Sequence, residues 1–116
     1  MKVYNRNEFL QLPEGTIFCK GGIWVFENMC IKRQTYGNDF SYVDLCNIDS
    51  YDTEDWINRL ENSLNKGISY PINKNTSRDG SFNELDLFMV FEEEDLEFLV
   101  KIMKDSINVL RHRPVP

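Results

Sequence analysis

The chain of 116 residues has one histidine, His112, no cysteine or histidine pair at the spacing of a zinc site, and no G-x-S-x-G elbow. These absences remove the usual partners of a zinc ion and of a cysteine or serine nucleophile, so neither metal chemistry nor catalysis is expected. Asp44, Asp49, Asp52 and Asp55 lack the alternation and central glycine of a calcium loop. Nothing in their spacing selects a pair for acid–base work. No run of residues is long and apolar enough to span a bilayer, and residues 1–10 contain no apolar core of a secretion signal. The chain is therefore expected to act in the cytoplasm without a membrane partner. Basic clusters are lacking too. With 13 Lys and Arg against 19 Asp and Glu, the net charge is −6, which argues against a nucleic-acid duplex or an anionic membrane as partner.

What is present is the material of a packed globule, 41% hydrophobic and 13% aromatic. The length fits a single domain over residues 1–116. Cys19, Cys30 and Cys46 are odd in number and lie in strand-like segments, which reads as three reduced, buried thiols.

Residues 7–12 predict one helical turn, capped by Asn5 or Asn7 and stopped by Pro13-Glu14-Gly15. Strands are expected at 16–19 and 23–26 around a Gly21-Gly22 turn, at 29–34, and over 40–48, where side chains alternate with period two. Trp24 and Phe26 share a strand face and read as core. Asp52 with Glu54 and Asp55 starts a helix bearing Trp56, Ile57, Leu60 and Leu64 on one face and ending at Gly67. A short strand at 68–72, a polar loop at 73–83 and a buried strand at 85–91 follow. A second helix then opens on Glu92-Glu93-Glu94-Asp95, carries Leu96, Leu99, Met103, Ile107 and Leu110 at helical spacing, and stops at Pro114. The expected fold is α+β, an antiparallel meander with two helices packed against it.

The loop at 73–83 concentrates unusual chemistry: Arg78-Asp79-Gly80, Phe82 and Asn83 place a guanidinium, a carboxylate, an aromatic ring and an amide within six residues. Such a set suits a polar, negatively charged small molecule. Two readings stand side by side. The turn can be purely local, with Asp79 accepting a backbone hydrogen bond and Gly80 at positive φ; or it aims Arg78 at a phosphate or carboxylate, which the planar fork of a guanidinium pairs well.

The opening V-Y-N-R-N-E-F-L-Q-L-P-E-G-T (residues 3–16), the Arg78-Asp79-Gly80-x-Phe82 turn, and Leu87-Phe88-Met89-Val90-Phe91 running into Glu94-Asp95-Leu96 carry a resemblance. Together they resemble the small phage proteins that counter Thoeris immunity by sequestration, the first type of Thoeris anti-defence protein. The resemblance implies a non-enzymatic sponge, without a cofactor, that binds a cyclic ADP-ribose isomer made by a TIR sensor, such as glycocyclic ADP-ribose. It further implies a homo-oligomer with ligand in recesses between protomers, in the cytoplasm of an infected bacterial cell. Some members of that family also hold cyclic oligonucleotides at a separate site. On this likeness Arg78 would serve the phosphates, Phe82 the adenine, and Asp79 and Asn83 the hydroxyls, with Arg33 and Lys32 as the next cations. A ligand of roughly 35 heavy atoms at about −0.3 kcal/mol each reaches about −10 kcal/mol, enough for nanomolar capture. Two rival functions are an acidic phage inhibitor that contacts a host defence factor directly, motivated by the acids within 44–61 and 84–97, and a small enzyme that degrades a nucleotide signal.

Overall fold

The computed structural model describes residues 1–113, so the helix stop expected at Pro114 lies outside the described residues. Strand β1 (Lys2–Asn5) runs directly into helix α1 (Arg6–Leu10). The hand-over is local chemistry: the Asn5 side chain accepts a hydrogen bond from the Glu8 amide at 2.9 Å, and the Glu8 carboxylate accepts one from the Asn5 amide at 3.1 Å. This capping box points Arg6 and Phe9 inward.

β2 (Ile17–Gly21), β3 (Phe26–Tyr36) and β4 (Asp39–Asp44) follow as consecutive antiparallel neighbours. Helix α2 (Thr53–Lys66) then leads to β5 (Thr76–Arg78) on the far side of β4, and β6 (Leu87–Val90) returns between β1 and β2 before helix α3 (Glu93–His112). The result is a six-stranded sheet in the order β1-β6-β2-β3-β4-β5, antiparallel throughout. The α+β class is as expected from the sequence.

Register decides which side chains meet. Phe18 lies opposite both Cys30 and Val90, and Lys32 lies opposite Tyr42, so these residues share one sheet face. Phe9 of α1 drops onto that face and joins Phe18, Phe40 and Phe88, all four fully buried. Its ring stacks on Phe88 at 4.1 Å between centroids and meets Phe18 at 4.7 Å and Phe40 edge-on at 5.1 Å. Such pairs each add about 0.5–1.5 kcal/mol beyond the area they bury.

Several expectations are corrected here. Of residues 23–26 only Phe26 is in a strand, as the first residue of β3: β2 turns into β3 at the Gly22 to Val25 hydrogen bond, and Trp24 stands 92% exposed at the hairpin tip instead of in the core. A Cβ on Gly21 would lie 2.1 Å from the Val25 carbonyl oxygen, so only glycine lets the chain double back this tightly. Residues 68–72 contribute one isolated bridge, Ile72 to Ile48, and the strand sits later, at β5, inside the segment read as loop. β1 was not anticipated. Neither α2 nor α3 has a fully buried residue, so it is the short α1 that closes the core. Of the cysteines, all free, Cys30 is buried with its thiol pushed up to about 12 by that burial, Cys19 is half-buried, and Cys46 is exposed.

Removing a ring from the centre of the cluster leaves a cavity that the sheet cannot collapse into. Phe9→Ala should therefore cost about 3–5 kcal/mol. Trp24→Ala, at the exposed tip, should stay within about 0.5 kcal/mol of the parent. Urea unfolding followed by circular dichroism separates the two.

Candidate functional site

The Arg78-Asp79-Gly80 turn divides into two roles. The Asp79 side chain is buried and committed to the fold: its carboxylate takes Arg6 Nη1 at 2.9 Å and Lys20 Nζ at 2.7 Å. Asp86 shares both cations, at 3.5 Å from Arg6 and 3.3 Å from Lys20. Burial alone would raise the Asp79 pKa, but the hydrogen bonds from Lys20 and Arg6 outweigh it and hold the carboxyl below the usual range. Gly80, at φ 63°, turns its N–H onto Asp39 Oδ1 at 2.9 Å. Asp39 is also buried; its burial penalty is overcome by the amides of Gly80 and Phe40 and by Arg78, and its pKa too lies low.

Arg78 is the outward member. Its Nε donates to Asp39 Oδ2 at 3.1 Å, and its guanidinium carbon sits 4.1 Å from the Tyr36 ring centroid, while the Tyr36 hydroxyl donates to Gln34 Oε1 at 2.6 Å. One edge of the guanidinium is thus fixed by a carboxylate and one face by a ring. The terminal nitrogens have no hydrogen-bond partner among the described residues, and the side chain is 57% exposed. Arg78 borders a recess of about 270 Å³ with Arg33, Gln34, Tyr36, Ser41 and Thr76. The Arg33 guanidinium likewise has no ion-pair partner among the described residues. Sheet order brings the two arginines together: Ser41 of β4 lies opposite Arg78 of β5, and β4 pairs with β3 on its other side. Glu14 at the rim is the one acid lining the recess.

The structure brings Arg33 and Arg78 into one recess and leaves the other anticipated residues elsewhere. Lys32 is fully buried, with Nζ donating to the Leu12 carbonyl at 2.9 Å and Thr35 Oγ1 at 2.6 Å. Burial pushes its pKa down, and it faces the core rather than solvent. Asp79 is spent on Arg6 and Lys20. Phe82, at φ 52°, lies 5.8 Å from the Arg6 guanidinium, covering the ion cluster. Asn83 closes a local turn by accepting from the Leu85 amide at 2.9 Å. Tyr36, Gln34, Ser41 and Thr76 are lining residues that sequence reasoning did not select; only the β3–β4–β5 pairing reveals them.

A larger recess of about 520 Å³ lies beyond Ser77, lined by Asn47, Asn73, Asn75, Tyr42 and Tyr51 among others. Its amides are already engaged: Asn47 Oδ1 accepts from the Trp56 indole, Asn73 Nδ2 donates to the Asp44 carbonyl, and Asn75 Nδ2 donates to Asp49. That makes it scaffold for α2 rather than a set of free donors. Among the described residues no group of three His, Cys, Asp or Glu is placed to hold a metal ion, and no helix is long and apolar enough to cross a membrane.

The ion cluster ties acid stability to two carboxylates, Asp39 and Asp79. Because Asp39 and Asp79 have depressed pKa values when folded, they contribute stability above the unfolded carboxylate range, and this is lost as pH falls through their folded values. Arg6→Met should destabilise the protein by about 3–5 kcal/mol at neutral pH, since it leaves buried carboxylates under-compensated. Its urea midpoint should also vary less steeply between pH 7 and pH 3 than that of the parent.

Comparison of the chain with family models, curated proteins and solved structures finds no match. The functional reading therefore rests on the recess geometry and on the motifs quoted above.

Proposed function

We propose that the protein binds and sequesters an anionic nucleotide-type small molecule without transforming it, and that the ligand is a cyclic ADP-ribose isomer of the kind that glycocyclic ADP-ribose represents. The observation that carries the reading is the pairing of two arginines, Arg33 and Arg78, with unspent nitrogens beside Tyr36 in one recess of a chain whose net charge is −6. A pyrophosphate is the matching group: two guanidiniums present fork-like donors to its oxygens, and Tyr36 keeps one fork from swinging away. At physiological ionic strength charges beyond about 8 Å are screened, so the acidic remainder of the chain does not forbid anion binding in the recess. At about 270 Å³ the recess lies just below the usual small-molecule range of about 300–1,000 Å³. It suits the phosphate end of the ligand, with the remainder covered by a neighbouring copy in a homo-oligomer. The resemblance supplies the rest of the proposal: a phage sponge acting in the cytoplasm of an infected bacterium.

The test is calorimetric titration with glycocyclic ADP-ribose, then heat denaturation and chromatography of what is released. A sponge returns the ligand intact. Product in the supernatant makes the protein an enzyme, and ligand that stays free throughout points to direct inhibition of a host factor. Arg78→Ala should cost about 2–4 kcal/mol of binding and Arg33→Ala a comparable amount, because each leaves an anion short of charge-assisted hydrogen bonds. Arg78→Lys should recover only part of the loss. Phe82→Ala, which is remote from the recess, should leave affinity unchanged; unchanged affinity in both arginine variants removes the recess from the function.

A further inference from the structure

α1 covers only part of the sheet face that carries the phenylalanine cluster. Phe9 closes over Phe18, Phe40 and Phe88, and beside that cover a cavity of about 190 Å³ remains open. Its walls come from three neighbouring strands at period two: Phe18 and Lys20 of β2, Asn28 and Cys30 of β3, and Phe40, Tyr42 and Asp44 of β4. Register sets Phe18 opposite Cys30 and Cys30 opposite Asp44, so these side chains rise on the same face. The arginine recess lies on the other face, since it takes Ser41 where the cavity takes Tyr42, and Arg78 where the cavity takes Asp79.

Two features give the cavity its chemical character. The first is a corner of three rings: Phe18 and Phe40 meet edge-on at 5.8 Å between centroids, and Tyr42 stands 6.5 Å from the one and 6.0 Å from the other. The second is surplus negative charge. Lys20 is neutralised by Asp79 at 2.7 Å and Asp86 at 3.3 Å, whereas Asp44 and Glu27 form no ion pair among the described residues. Asp44 is held by neutral donors, the Cys46 amide at 2.9 Å and Asn28 Nδ2 at 3.3 Å. Two neutral acids in the lining feel that charge. Burial pushes the Cys30 thiol up to about 12, with Asp44 and Glu27 adding to the shift. Burial also raises the Tyr42 phenol, with Cys30, Asp79 and Asp44 adding and Lys20 opposing.

Carboxylates beside aromatic faces attract a cation that has an apolar body. A bare metal ion finds no set of three ligating groups among the described residues, and a neutral molecule leaves both surplus charges uncompensated. Size narrows the choice further. A volume of about 190 Å³ corresponds to roughly six water-sized units of about 30 Å³ each. We propose that the cavity binds a small organic cation, a primary alkylamine or diamine of roughly six heavy atoms, with its ammonium against Asp44 and Glu27 and its methylenes on the corner of Phe18, Phe40 and Tyr42. The site is separated from the arginine recess by the thickness of the sheet, and its occupancy does not depend on what that recess binds.

Titration of the isotope-labelled full chain with putrescine, followed by amide NMR at constant ionic strength, tests the proposal. Shifts should saturate with a dissociation constant of about 1 mM or tighter and centre on Lys20, Glu27, Asn28, Cys30, Tyr42 and Asp44. The matching butanediol, which lacks the charge, and magnesium chloride, which lacks the apolar body, should give no saturating shifts there. Glu27→Gln changes an exposed side chain and should weaken the amine about threefold or more. Asp44→Asn keeps an oxygen for the Cys46 amide and should weaken it about tenfold or more. Putrescine without saturating shifts, butanediol that matches it, magnesium that reproduces its pattern, or a folded double variant that binds the amine as tightly as the parent each overturns the proposal.

Discussion

Everything that positions the recess hangs on Arg6. Its guanidinium is buried beside Asp79 and Asp86, lies 3.7 Å from Asp39, and donates to the Asn38 carbonyl through Nη2 at 2.9 Å. It thereby fastens the first helix to the β3–β4 hairpin, to the end of β5 and to the approach to β6, segments separated by up to 80 positions in the chain. Arg6, Lys20 and Arg78 balance Asp39, Asp79 and Asp86 charge for charge, which is the condition for holding carboxylates away from water. The phenylalanine cluster gives the fold its apolar free energy; the ion cluster decides which loop lies over which strand.

The same arrangement explains why one tripeptide serves two purposes. Asp79 and Gly80 are drawn into the cluster, and Arg78, held only through Nε by Asp39, is left facing out with its terminal nitrogens unspent. A carboxylate that both neutralises the interior and steadies an outward guanidinium lowers the entropy that side chain loses on gripping an anion. The two readings of the turn offered by the sequence are thus compatible: the structural role belongs to Asp79 and Gly80, and the chemical opportunity to Arg78 and Arg33.

How much of this was legible follows from where the deciding forces act. The caps of α1 and α2, Asn5 and Asp52, and the stop at Gly67 are local chemistry and could be read directly. So could β4, whose Phe40 and Tyr42 alternate with Ser41 and Val43. β1 and β5 could not. Lys2–Asn5 and Thr76–Arg78 are mostly exposed edge strands with no apolar period, and they exist because β6 and β4 present backbone partners to them. The β-branched and aromatic run Ile23–Phe26 points to a strand with Trp24 in the core; the Gly21 close approach throws Trp24 to the hairpin tip instead. Lys32 looked like a surface cation, as lysines in strands usually are. Its burial under α1 depends on the Leu12 carbonyl and Thr35 being within reach, a tertiary fact with no trace in spacing.

The distribution of charge links these parts. Arg6 and Lys20 are consumed in the ion cluster, Arg78 is tied to it by one edge, and Lys32 is buried beneath α1. Arg33 and the outer edge of Arg78 lie in a single recess, whereas Lys101, Lys104, Arg111 and His112 are carried by α3, apart from that recess. The recess is a small concave site with an aromatic wall, suited to a compact anion. The helix end is of another character: acids fill the first turn of α3 and basic residues its last, an order that answers the helix dipole and builds no concave site. Position in the chain alone does not separate the two kinds of cation; the sheet does, by setting Arg33 of β3 and Arg78 of β5 on either side of Ser41.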